Sequence, residues 1–220
     1  TKDPQIIDFG ISIPMDKLNK ENIEEYFYIY APDYYIWPLE VHIIGYMLWK
    51  GKKTETLTEK DAKIIASEYV NNNSALNIYS ENFRSLYEDF CKKEISQYIG
   101  KSRNIVINQL LKFYKTWDNY SISIIFIKLF EYIFPDGFYK NDLLINFSQL
   151  LLLNISPNPL KRLSLDETLK QFNNIFFKQG NINTYLNITR DISIDLKTTI
   201  NIINDDMKKL RKFRKIIKKN

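Results

Sequence analysis

Residues 118–133, Asp118-Asn119-Tyr120-Ser121-Ile122-Ser123-Ile124-Ile125-Phe126-Ile127-Lys128-Leu129-Phe130-Glu131-Tyr132-Ile133, are apolar around nearly the whole circumference of a helix and run into the stop signal Pro135-Asp136-Gly137. A helix that is apolar on every side is buried by other elements, so this stretch predicts a central helix in a mainly α fold. It does not predict a bilayer span. Ile122 to Phe134 is interrupted by Ser123, Lys128 and Glu131 and falls far short of the roughly 20 apolar residues that crossing requires.

Helical signals continue on both sides. Toward the C-terminus, Asp142 to Asn154 reads as a helix ended by Ser156-Pro157-Asn158-Pro159, and Ser164-Leu165-Asp166-Glu167 is a capping box opening a helix to about Phe177. Toward the N-terminus, residues 103–114 are helical, and Ser80 opens a helix over about 81–98 in which Phe83, Leu86, Tyr87 and Phe90 recur at three and four residues. Thr58 caps another over about 59–70, with Ile64, Ile65 and Tyr69 on one side. Composition agrees: 220 residues carry 15 Tyr and 14 Phe but only 6 Gly and 7 Pro, too few turn formers for a many-turned β-sandwich.

The first forty residues differ. Gln5-Ile6-Ile7 reads as a short buried strand running into the turn Asp8-Phe9-Gly10, and residues 8–40, punctuated by Pro14, Pro32 and Pro38, read as a long ordered loop. The chain thus offers, in order, a strand, Asp8-Phe9-Gly10, a loop ending in Pro38-Leu39-Glu40, Asp118-Asn119-Tyr120-Ser121 opening the central helix, and Pro159-Leu160-Lys161-Arg162 before a capped helix. This series resembles the second half of the protein kinase fold. Trp37-Pro38-Leu39-Glu40-Val41-His42 with Ser156-Pro157-Asn158-Pro159 looks most like the kinases of large cytoplasmic DNA viruses. The resemblance covers about residues 5–45 and 116–178.

The resemblance implies roles. Asp8 matches the residue that binds the Mg²⁺ bridging the ATP phosphates, Phe9 packs inside and sets where Asp8 points, and Gly10 permits the tight turn. Glu40 matches the glutamate closing the activation segment, here 8–40, and Arg162 matches its buried partner. Asp118 matches an aspartate that braces the catalytic loop, and a simple helix N-cap reads equally well. The sequence departs from the family pattern at Asp33, Pro38, Leu39 and Ser123, where a threonine, an alanine, a proline and a glycine are usual. The long interval between Glu40 and Asp118 implies a helical insertion over about 46–115. The expected organisation is a kinase-like large lobe over 1–179, incomplete at its N-terminus, and a helical basic tail over 180–220. No His-Arg-Asp loop, strand lysine or glycine-rich loop is present, so the catalytic aspartate is expected upstream in a longer polypeptide. The missing initiator methionine carries the same expectation. The implied activity is transfer of the ATP γ-phosphate to a serine or threonine hydroxyl of a protein substrate, completed by the missing N-terminal part. The alternative is an inactive kinase-like interaction or virion scaffold.

One cysteine, Cys91, and one histidine, His42, exclude an internal disulfide and a zinc site of several Cys and His ligands. Both read as packed, inert residues, and cysteine usage fits a reducing cytoplasmic setting, in a host cell or virion. The net charge of +5 is local: Met207 to Asn220 holds eight Lys or Arg and no acid, whereas the rest carries 23 basic and 26 acidic residues. DNA-specific binding is therefore not expected. The tail, with Leu196, Ile200, Ile203, Met207 and Leu210 spaced by four and three, suits an apolar seam on a partner surface or an anionic surface.

Overall fold

The computed structural model describes residues 13–50, 55–134 and 141–177. The expected strand at 5–7, Asp8, Phe9, Gly10, the Pro135-Asp136-Gly137 stop and the tail from 180 lie outside the described residues. Within them the protein is mainly α, with no strand and only isolated bridges pairing Thr56 with Ser102 and Leu57 with Ile99. The helices are α1 (Ile23–Tyr26), α2 (Leu39–Gly45), α3 (Glu59–Asn71), α4 (Glu81–Ser96), α5 (Arg103–Leu110), α6 (Trp117–Ile133), α7 (Asp142–Asn154) and α8 (Leu165–Phe176).

Side-chain caps set the starts of four of these eight helices. The Thr58 hydroxyl accepts from the Asp61 N–H while the Asp61 carboxylate accepts from the Thr58 N–H, so α3 begins with two otherwise orphaned donors satisfied. Ser164 and Glu167 do the same for α8, and Ser80 and Asn141 cap α4 and α7 through single side-chain bonds. Two irregularities were not legible in the sequence. α2 runs on into one π-helical turn, Tyr46–Lys50, and the helix expected over 103–114 is α only to Leu110 before tightening into a 3₁₀ turn, Leu111–Thr116. The loop expected over 8–40 contains, in its described part, the single helical turn of α1, and its last two residues, Leu39 and Glu40, already belong to α2.

α6 lies at the centre, packed on α7 and on the 3₁₀ turn Ser74–Ile78; α3 packs on α4, α2 on α5, and α7 on α8. Residues from the stretch expected to be an insertion, among them Ile65, Tyr69, Leu76, Cys91, Ile95 and Val106, join one apolar core with Ile124 and Ile127 of α6.

Three expectations need correction. α6 is not enclosed on all sides: Tyr120, Ile124 and Ile127 are buried, but Ile122, Ile125, Phe126, Leu129 and Tyr132 are exposed. Apolar residues around a helix state a demand for cover, and among the described residues neighbours meet it on one side only. Asp118 is not the N-cap, because the preceding 3₁₀ turn runs straight into α6 and moves its start to Trp117. Asp118 instead lies exposed in the first turn, where its charge complements the helix dipole. In α4 the buried stripe is Tyr87, Cys91 and Ile95, while Leu86 and Phe90 face outward. A wide apolar face admits more than one buried stripe, and packing against α3 selects this one.

Candidate functional site

Glu40 and Arg162, 122 residues apart, form a bidentate ion pair. Nη1 donates to Oε1 and Nη2 to Oε2, both at 2.8 Å, with 0% of the Arg162 side chain and 2% of the Glu40 side chain exposed. Each is placed by its own element. Glu40 sits in the first turn of α2, which follows the extended Pro38. Arg162 follows the 3₁₀ turn Pro159–Lys161, whose start is fixed by the Asn158 side chain accepting from the Leu160 N–H at 2.9 Å.

Two further guanidinium N–H groups are used. Nε donates to the Ser156 carbonyl at 2.8 Å and Nη1 also to the Thr116 hydroxyl at 3.2 Å, while the Tyr120 ring lies 5.2 Å from the guanidinium carbon. Burial by itself would lower the Arg162 pKa, but the facing Glu40 carboxylate outweighs it and the net shift is upward. A buried ion pair gains its energy from such completeness, because each charge has lost its water and only matched donors and acceptors replace it.

The chain leading into this clasp is seated on α6 and α2. The Ser121 hydroxyl reaches the Ile36 carbonyl at 2.9 Å, and the Tyr120 hydroxyl the Tyr35 carbonyl at 3.4 Å. The Tyr120 hydroxyl also meets the Tyr69 hydroxyl at 2.5 Å, and burial raises the pKa of both phenols, so they remain neutral. Further back, the Tyr30 hydroxyl donates to Glu68 at 2.7 Å, Lys50 pairs with the same carboxylate, and the Trp49 indole donates to the Phe27 carbonyl. Gly45 lets this segment close down: a Cβ there would stand 3.0 Å from the Ile29 carbonyl oxygen.

A polar network missed in the sequence joins α6, α7 and α8. The Asn119 amide donates to the Leu163 carbonyl at 3.1 Å and the Thr168 hydroxyl at 2.9 Å; the Asn154 amide donates to the Asn119 oxygen at 3.3 Å and the Ser123 hydroxyl at 3.1 Å. Asparagine is so abundant in this chain that no single one stands out. The usable signal was their position on apolar helices. Ser123, where the kinase pattern has a glycine, supplies one of the acceptors.

His42 and Cys91 are buried and packed, as expected. The His42 ring lies against Trp37 and Tyr69, and burial lowers its pKa to about 4, the Trp37 and Tyr34 backbone and Asp33 opposing that shift only in part. Burial pushes the Cys91 thiol well up, so it is no nucleophile.

Among the described residues no three of His, Cys, Asp and Glu converge to hold a metal, and no helix is long and apolar enough to cross a membrane. The expected ligand Asp8, with Phe9 and Gly10, lies outside them. Asp118 is exposed and makes no hydrogen bond or ion pair with another described residue. Neither a scan against protein-family models nor searches of curated proteins and of solved structures return a match.

Proposed function

We propose that this chain is the C-terminal part of a protein kinase, carrying the activation segment and the helical lobe that anchors it. The observation that carries the reading is the buried Glu40–Arg162 clasp, which ties the end of a long loop to the connection between α7 and α8. A segment that must present a substrate hydroxyl needs a fixed far end, and a bidentate pair in which all three guanidinium nitrogens are hydrogen-bonded supplies one. The seating of residues 27–37 on α2, α3 and α6 is consistent with that task.

In this reading the substrate hydroxyl attacks the γ-phosphorus of ATP, the bond to the β–γ bridging oxygen breaks, and an upstream aspartate accepts the hydroxyl proton. Mg²⁺, bound through Asp8, would offset the phosphate charge. The chain's own part is to hold Asp8 at one end of the activation segment and Glu40 at the other. The substrate is a protein serine or threonine, and the setting is the cytoplasm or a virion.

A second reading, a kinase-like scaffold without activity, is favoured by Asp33, an acid exposed in the loop where a threonine is usual. Phosphate transfer from labelled ATP by the full-length protein separates the two. Asp8→Asn is expected to remove nearly all transfer while leaving the circular dichroism spectrum unchanged. Equal turnover by wild type and variant rejects the metal role, and no turnover by wild type favours the scaffold.

A further inference from the structure

Among the described residues a cavity of about 280 Å³ is lined by the loop at residues 18–24, by the π-helical turn and by α5. Its apolar side is formed by Ile23 of α1, Leu48 of the π-helical turn, and Ile107 and Leu111. Arg103, Ile107 and Leu111 recur every four residues and Asn104 and Asn108 flank them, so one face of α5, carried on into the 3₁₀ turn, supplies that wall. The loop side is held in shape by its own hydrogen bonds. The Asn19 side-chain oxygen accepts from the Glu21 and Asn22 N–H groups at 2.8 and 3.1 Å, and the Asn22 side-chain oxygen accepts from the Asn19 N–H at 2.8 Å.

Arg103 is the group that packing leaves without a purpose. It is half-buried, its Nη1 is enclosed without a hydrogen-bond partner, and its guanidinium makes no ion pair with another described residue. An N–H shut away from water costs free energy until an acceptor meets it. Lys20, Asn104 and Asn108 line the same cavity, and their side chains spend no donor on another described residue. One acid, Glu24, stands on the cavity against the two cations. The first turn of α5, which Ser102 does not cap with its side chain, adds the positive end of the helix dipole.

We infer that this cavity binds a small phosphate monoester with an apolar body. Its phosphate is held by Arg103 and Lys20 with the Asn104 and Asn108 amides, and its body lies on Ile23, Leu48, Ile107 and Leu111. Two cations and two amides suit the three oxygens and near-double charge of a phosphate monoester better than the two oxygens and single charge of a carboxylate. The volume, at the small end of ligand pockets, restricts the body to about the size of one ring. Because the loop and α5 both line the cavity, a bound phosphate ties residues 18–24 to α5. None of these residues belongs to the clasp, so the inference does not rest on the kinase reading.

Titration of phenyl phosphate into the methyl-labelled full chain, followed by NMR, tests the assignment. Saturable shifts are expected at the methyl groups of Ile23, Leu48, Ile107 and Leu111, and Arg103→Met should weaken binding about tenfold. Lys20→Met and Glu24→Gln alter exposed positions, which leaves the fold intact, and should move the affinity in opposite directions at low salt, about threefold weaker and about threefold tighter. Inorganic phosphate and benzyl alcohol, each lacking one half of the probe, should bind about tenfold more weakly. Absence of saturation, shifts confined to residues elsewhere, or an affinity unmoved by Lys20→Met and Glu24→Gln would overturn the proposal. Equal affinity for phenyl phosphate and for either fragment would overturn it as well, by showing that one half of the cavity takes no part.

Discussion

His42 is enclosed between Trp37 and Tyr69, and its neutral form is the one the fold accommodates. Its pKa falls from the ordinary 6.5 to about 4 because burial strips the imidazolium of water, which the Trp37 and Tyr34 backbone and Asp33 offset only in part. The unfolded chain therefore takes up a proton near pH 6.5 that the folded chain refuses until about pH 4. Stability is complete above the higher value and is lost as pH falls between the two. Between pH 7 and pH 5 the loss from this one residue is roughly 2 kcal/mol. Unfolding free energies from urea curves at both pH values should differ by that amount in the wild type and converge in His42→Leu. A variant with the same pH dependence as the wild type would show that other groups carry it.

The Glu40–Arg162 pair works between elements, holding α2 against the connection from α7 to α8. Arg162→Met should cost about 3–5 kcal/mol, because it leaves the Glu40 carboxylate buried and unpaired. Adding Glu40→Met removes that stranded charge, and the double variant should recover roughly half of the loss. Urea denaturation of the two single variants and the double variant measures the coupling. Purely additive losses would mean that the two side chains do not depend on each other. The pair therefore acts more as a device for fixing where α2 sits than as a net source of stability, since a well-packed apolar pair could hold the same space without desolvating two charges.

Across the whole molecule, α2 to α8 draw on one continuous core. The stretch between Glu40 and α6 gives that core Ile65, Tyr69, Leu76 and Cys91, all wholly enclosed. Unfolding should accordingly be a single cooperative transition. Tryptophan fluorescence, which reports Trp37, Trp49 and Trp117 outside α3 and α4, and far-ultraviolet circular dichroism, which reports all helices, should give coincident urea curves. Two separated transitions would show that α3 and α4 fold as an independent unit.

How much of this was legible in the chain depends on the range of the forces involved. The sequence by itself determined the helical class, the starts of α3, α4 and α8, and the end of α7, because a cap or a proline acts within one helical turn of the residue that carries it. It also supplied Glu40 and Arg162 as candidates through a family resemblance, but not the donors to Ser156 and Thr116 that complete their burial. Tertiary structure alone decided which stripe of α4 is buried, that Asn119, Asn154, Ser123 and Thr168 meet, and that α6 keeps one apolar face exposed. Those outcomes depend on which surfaces are pressed together, and a periodic pattern records how much surface must be covered without recording what covers it.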